Sequence, residues 1–184
     1  MTFLSLASVA QPTVQTDKKR KKQYRSTPEK VHALVHTKLE ASFDIPKAYM
    51  FGKVWLTLKP QFYPSSTLIL DAKGMDIKEV ALVKGSSKSK LKFEYDGMLL
   101  KIELDKTYKG GEAYTIYIDY TAKPNELKVE GSAAITDAKG LYFINPTGAD
   151  KDKPTQIWTQ GETEATSVWC PIIDKTSQKT TQEM

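Results

Sequence analysis

Leu91-Lys92-Phe93-Glu94-Tyr95-Asp96-Gly97-Met98-Leu99-Leu100-Lys101-Ile102-Glu103-Leu104 alternates apolar and charged residues on both sides of an Asp-Gly pair. A period of two places Leu91, Phe93 and Tyr95 on one face of a strand, with Lys92 and Glu94 on the other. Leu100, Ile102 and Leu104 repeat the pattern against Lys101 and Glu103. Asp-Gly between two such runs marks a β-hairpin with a type I′ turn, whose two central residues both take positive φ.

The same period recurs on either side of this hairpin. Leu39, Ala41 and Phe43 oppose Lys38, Glu40 and Ser42; Val54, Leu56 and Leu58 follow, with Trp55 and Thr57 on the other face. Thr67 to Leu70 reads as a short apolar strand, and Ile77 to Val83 as a more deeply buried one, apolar on both faces. Lys109-Gly110-Gly111 turns the chain into Tyr114, Ile116, Ile118 and Tyr120, one face of a further strand. Residues 123 to 139 form a longer excursion. Gly140 to Ile144 and Thr155 to Thr159 are the last two strands, separated by a Pro-, Gly- and Lys-rich loop. Thr163 to Trp169 allows one short turn of helix at most. About nine strands joined mainly by short turns, with no internal repeat, predict an all-β, mainly antiparallel, sandwich-like domain.

A chain of 184 residues fits one domain, and one cysteine, Cys170, excludes an intrachain disulfide. Trp169 and Pro171 flank that cysteine, which favours packing over reactivity. The net charge of +5 owes much to the run Lys18, Lys19, Arg20, Lys21 and Lys22. No aromatic residues interleave with it, so residues 11–30 read as a disordered basic tether and no nucleic-acid partner is expected. Nothing approaches the ~20 apolar residues of a membrane span. Residues 1–10, apolar and rich in small side chains, resemble the remnant of a signal peptide cleaved after Ala10. The expected organisation is therefore a secreted or periplasmic protein whose β domain occupies residues 31–184.

Few residues suggest chemistry on their own. His32 and His36 imitate the spacing of a two-histidine zinc motif, but that motif needs a helix. On a strand, residues four apart lie ~13 Å from each other, too far to share one zinc. Ala33 also stands where such a motif needs its glutamate. No Gly-x-Ser-x-Gly elbow and no phosphate-cradling glycine loop occurs. Glu162 and Glu164 suggest a glycosidase pair only weakly, since such pairs usually come from separate strands or loops. No metal ligand set is expected in this chain.

One stretch is more specific: Trp158-Thr159-Gln160-Gly161-Glu162-Thr163-Glu164, then Trp169-Cys170-Pro171-Ile172-Ile173-Asp174, then Lys179. It resembles the end of the first domain of the aminopeptidase N family of zinc metallopeptidases, with Thr159, Gln160, Glu162, Pro171, Asp174 and Lys179 on the family pattern. Upstream, His36-x-x-Leu39 leading to Phe43-Asp44, then Gly52 to Leu58, then Gly140-Leu141-Tyr142 resemble that domain's earlier strands in order. Thr166-Ser167 replaces the family's Ala-Arg, and Lys175-Thr176 replaces its acidic residue and proline, which suggests an outlying branch.

The resemblance implies a saddle-shaped N-terminal β domain that forms one wall of an active site. Zinc would be bound by a further, catalytic domain absent from these residues, and the chain alone would be inactive. It implies that Glu162 binds the free α-amine of peptide substrates and that Gln160 adds a hydrogen bond to their first residue. Trp158, Trp169 and Ile172 are expected to form an exposed apolar patch where the catalytic domain docks. The competing expectation is a free-standing secreted β-sandwich module for adhesion or carbohydrate binding.

Overall fold

The computed structural model describes residues 29–128, 138–162 and 164–184. The signal-like opening, nearly all of the basic tether and most of the 123–139 excursion lie outside the described residues. Eleven strands appear in chain order: β1 (His32–Asp44), β2 (Tyr49–Pro60), β3 (Ser65–Asp71), β4 (Met75–Lys84), β5 (Ser87–Lys90), β6 (Phe93–Tyr95), β7 (Leu99–Tyr108), β8 (Tyr114–Ala122), β9 (Leu141–Ile144), β10 (Gln156–Thr159) and β11 (Thr181–Glu183). The nine expected strands are all present. β5 and β11 are additions whose residues are all exposed, so neither carries a hydrophobic pattern to read.

Six strands form one sheet in the order β11-β1-β2-β8-β4-β5, and three form a second in the order β3-β7-β6. Only β11 pairs parallel to its neighbour; the other ladders are antiparallel. Val54, Leu56 and Leu58 of β2 lie in register with Ile118, Ile116 and Tyr114 of β8, and these rows pack into one core with Leu68, Leu70, Leu100 and Ile102 of the smaller sheet. Inward rows from two sheets interdigitating is the packing of a β-sandwich. On the outer face, Trp55 packs against Tyr117 at 5.0 Å, and the ammonium groups of Lys38 and Lys88 lie over the indole. Of the Ile77–Val83 stretch, only Val80, Ala81 and Leu82 are buried on both faces, while Lys78 is exposed and Ile77 and Val83 are half-buried.

The 96–97 hairpin exists, but its turn is not type I′. Gly97 alone takes positive φ, at 91°. Asp96 instead accepts the backbone N–H groups of Met98 and Leu99 through its carboxylate, at 2.8 and 2.6 Å. Those two bonds hold the Asp96 carboxyl below its ordinary range. A short acidic side chain can thus close a turn by local side-chain bonding rather than by entering the left-handed region.

His32 and His36 lie on β1, as expected. A bulge between Leu34 and His36 shifts the register, so His32 lies opposite Pro60 while His36 lies opposite Thr57. His32 is buried edge-on to Tyr114, and His36 is half-buried and bonded to Thr181. The two rings therefore belong to opposite faces of the sheet.

Candidate functional site

The Gln160 segment begins on a separate two-stranded hairpin. Thr159 of β10 pairs with Leu141 of β9, and the Gln160 N–H extends the ladder by donating to the Gly140 carbonyl at 2.9 Å. Leu141 and Phe143 face the core, and at its margin Phe143 meets the exposed Phe43 edge-on. The opposite face presents Tyr142 and Trp158, stacked at 4.4 Å and nearly parallel. Alternation along a strand puts Gln160 on that same outward face.

After Gly161 the chain turns sharply. The Ala165 N–H bonds back to the Gly161 carbonyl at 3.1 Å, which leaves Glu162 exposed on the turn. Glu164 then takes φ of 62°, a left-handed conformation uncommon for non-glycine residues. Its carboxylate accepts the Lys175 ammonium at 2.7 Å, and its carbonyl accepts the Lys73 ammonium at 2.6 Å. That hydrogen bond, with the Glu164 charge beside it, raises the pKa of Lys175. Among the described residues, no hydrogen bond or ion pair engages the side chain of Glu162 or Gln160. The two glutamates two residues apart are thus in different states: Glu164 is compensated and Glu162 is not.

A turn about ninety residues upstream fastens the rest of the segment. Asp71 and Ile172 exchange both backbone hydrogen bonds, at 2.8 and 3.0 Å. The Asp71 carboxylate also accepts the Asp174 N–H at 2.9 Å, and the Asp174 carboxylate accepts the Ser167 N–H at 2.8 Å. Lys73 adds a backbone bond to the Ser167 carbonyl at 2.8 Å. Asp174, read from the sequence as part of a motif, therefore ties the single 3-10 turn Thr166–Val168 to the β3–β4 turn. Gly140 is required beside it: its φ is +68°, and a Cβ there would lie 1.9 Å from the Ala165 carbonyl oxygen.

The expected apolar patch needs correction. Trp158 is exposed, but Ile172 is buried at 8% exposure and Trp169 packs half-buried against the core. The antiparallel bridge between Asp71 and Ile172 draws that part of the segment into the sandwich. The glycosidase pair fares no better, because Lys175 already occupies the Glu164 carboxylate. Cys170 is buried, and burial pushes its thiol up to about 12, which keeps it protonated.

No group of three or more potential metal ligands comes together among the described residues. His32 and His36, on opposite faces, do not fit a shared zinc ion. No helix of the described residues is long and apolar enough to cross a membrane. A cleft of about 380 Å³ opens elsewhere, between Val31 and His32, the edge of β3, and the Ile173–Gln178 segment. Gln160 and Glu162 take no part in it. The residues missed from sequence were Asp71, Lys73 and Lys175. Their only signal was a turn-like Asp-Ala-Lys-Gly and a basic residue after Asp174.

The yeast LTA4 hydrolase structure shares 23% identity and a TM-score of 0.62, over 83% of this chain and 22% of that one. An M1 zinc metallopeptidase from Deinococcus radiodurans shares 16% identity and a TM-score of 0.65, over 82% of this chain and 31% of that one. A mutant form of the D. radiodurans enzyme, bound to a Tyr-Ser-Ala substrate, shares 15% identity and a TM-score of 0.63, over 86% of this chain and 33% of that one. The chain thus spans a third or less of these structures, and at such identities the likeness speaks for the fold. No curated protein matches in sequence. The profile of the Peptidase M1 N-terminal domain covers residues 21–184, which include every described strand, and the chain belongs to that family.

Proposed function

We propose that this chain forms one wall of the active site of a zinc-dependent aminopeptidase, and that Glu162, assisted by Gln160, reads the free α-amine of peptide substrates. One observation carries the reading: Glu162 is an exposed carboxylate without a partner among the described residues, while its neighbour Glu164 is already paired. An α-amine has a pKa of ~8 and is mostly charged at neutral pH. A fixed, uncompensated carboxylate attracts that ammonium and gives nothing to an internal peptide bond. Gln160, half-buried just after β10, offers an amide donor and acceptor to the substrate's first residue.

The chain is not catalytic alone in this reading. Its histidines do not fit zinc, so the metal and the hydrolytic groups belong to a further domain, the chain's principal partner. The signal-like opening supports secretion or a periplasmic location. Membership of the M1 family favours this reading over a free-standing adhesion or carbohydrate-binding module.

The test is to express the complete reading frame beside the 184-residue chain and assay both on aminoacyl-coumarin substrates. The full-length protein should hydrolyse unblocked substrates and lose that activity to a chelator, while the chain alone stays inactive. Equal hydrolysis of N-acetylated and free substrates would count against an amine-reading wall.

A further inference from the structure

We propose that Lys73 and Lys175 are positioning residues for Glu162, an inference that rests on the amine-site reading above. Glu164 sits in the left-handed region without being glycine, so its surroundings must hold it there. Three contacts do so. Its carbonyl accepts the Lys73 ammonium at 2.6 Å and the Ser167 hydroxyl at 3.2 Å, and its carboxylate accepts the Lys175 ammonium at 2.7 Å. Both lysines stand on anchored backbone: the Lys73 N–H bonds to Ser167 and the Lys175 N–H bonds to Ile173.

Glu162 lies between the two ends of this device. Behind it, Gln160 is fixed to Gly140; ahead of it, Glu164 is held by the lysines; and the Ala165 to Gly161 bond closes the turn. The turn that carries Glu162 is thus closed by the Ala165 to Gly161 bond and anchored at Glu164, and it is through this anchor that the lysines act on the placement of Glu162. Lys175 also takes up the Glu164 charge, which leaves Glu162 as the carboxylate of the segment without a partner among the described residues. Glu164 in turn cancels a lysine charge that would otherwise repel the substrate's amine.

The experiment uses Lys73→Met, Lys175→Met, Lys175→Arg and Glu162→Gln in the full-length peptidase, with hydrogen exchange measured on the 184-residue chain. Each Met variant should raise KM for free-amine substrates about tenfold with kcat nearly unchanged, the loss expected when a bond to a charged group goes. Amides from Glu164 to Cys170 should exchange faster while the sandwich strands keep their protection. Lys175→Arg, which can still donate to Glu164, should restore KM. Wild-type KM in both Met variants, with KM raised in Glu162→Gln, overturns the positioning role and leaves the amine site standing. Faster exchange across every strand, without rescue by arginine, also overturns it, because the lysines would then serve general stability. Unchanged KM in Glu162→Gln overturns the amine site itself and this inference with it.

Discussion

The Tyr120 hydroxyl donates a hydrogen bond to the Trp169 carbonyl at 2.9 Å. Tyr120 lies at the centre of the sandwich on β8, and Trp169 lies in the segment that carries Gln160 and Glu162. The bond therefore joins the core directly to the candidate site. Burial raises the Tyr120 pKa well above 10, which keeps the hydroxyl a donor at any physiological pH. The ring runs beneath Gly52, where an added Cβ would come within 2.2 Å of Tyr120 Cζ.

Tyr120→Phe preserves the ring and removes the donor. The Trp169 carbonyl is then left without that partner, at an expected cost of about 1–3 kcal/mol. Gly52→Ala should cost more, since the fully buried ring has nowhere to move. Urea denaturation of the chain measures both. A Tyr120→Phe variant as stable as the wild type would show that water or another donor replaces the bond.

Gly140→Ala should loosen the site segment in particular. Alanine pays for positive φ and meets the Ala165 carbonyl at 1.9 Å, so the 161–165 turn must shift. The expected loss exceeds about 2 kcal/mol, in line with other steric conflicts at special backbone positions. Gly148, also at positive φ, meets nothing within 4 Å of its added Cβ. Gly148→Ala therefore carries only the backbone cost and should be clearly milder in the same denaturation series.

Cys170 gives a pH signature. Burial moves its thiol from an ordinary value of 9.0 up to about 12. The folded state then holds that proton more tightly than the unfolded chain does. The associated stability is complete below pH 9 and is lost as the pH rises toward 12. Native protein should accordingly resist thiol reagents at pH 8 and react only on unfolding. Cys170→Ala should show a shallower decline in stability above pH 9 than the wild type; an equal slope would assign the decline to the buried tyrosines Tyr114 and Tyr120, whose pKa values burial also raises.

The strands legible in the sequence were those with one wet and one dry face. Leu100, Ile102 and Leu104 are buried while Lys101 and Glu103 are exposed, as the alternation demands. β5, with Ser87, Lys88, Ser89 and Lys90, and β11, with Thr181, Gln182 and Glu183, are held by backbone pairing at sheet edges. Polar edge strands leave no hydrophobic period. Ala41 and Phe43 alternate correctly yet stay exposed, because β1 runs out past the core.

Gln160 and Glu162 were singled out by the family resemblance alone. Their support was not, because Asp71 and Lys73 meet Asp174 and Glu164 only after the sandwich has closed. A local reading also left Trp169 and Ile172 on the surface, since nothing nearby in sequence reveals the bridge from Ile172 to Asp71.

The most direct measurement of the central claim compares Glu162→Gln with the wild type in the full-length peptidase, on matched free-amine and N-acetylated peptides. The substitution keeps size and most hydrogen bonding but removes the charge. Losing a bond between charged groups costs about 1.5–3 kcal/mol, or roughly 10- to 150-fold in kcat/KM. The account predicts that loss on free-amine peptides, little further change on acetylated ones, and nearly unchanged stability. Full activity of Glu162→Gln on free-amine peptides, or an equal loss on both substrate sets, would contradict it.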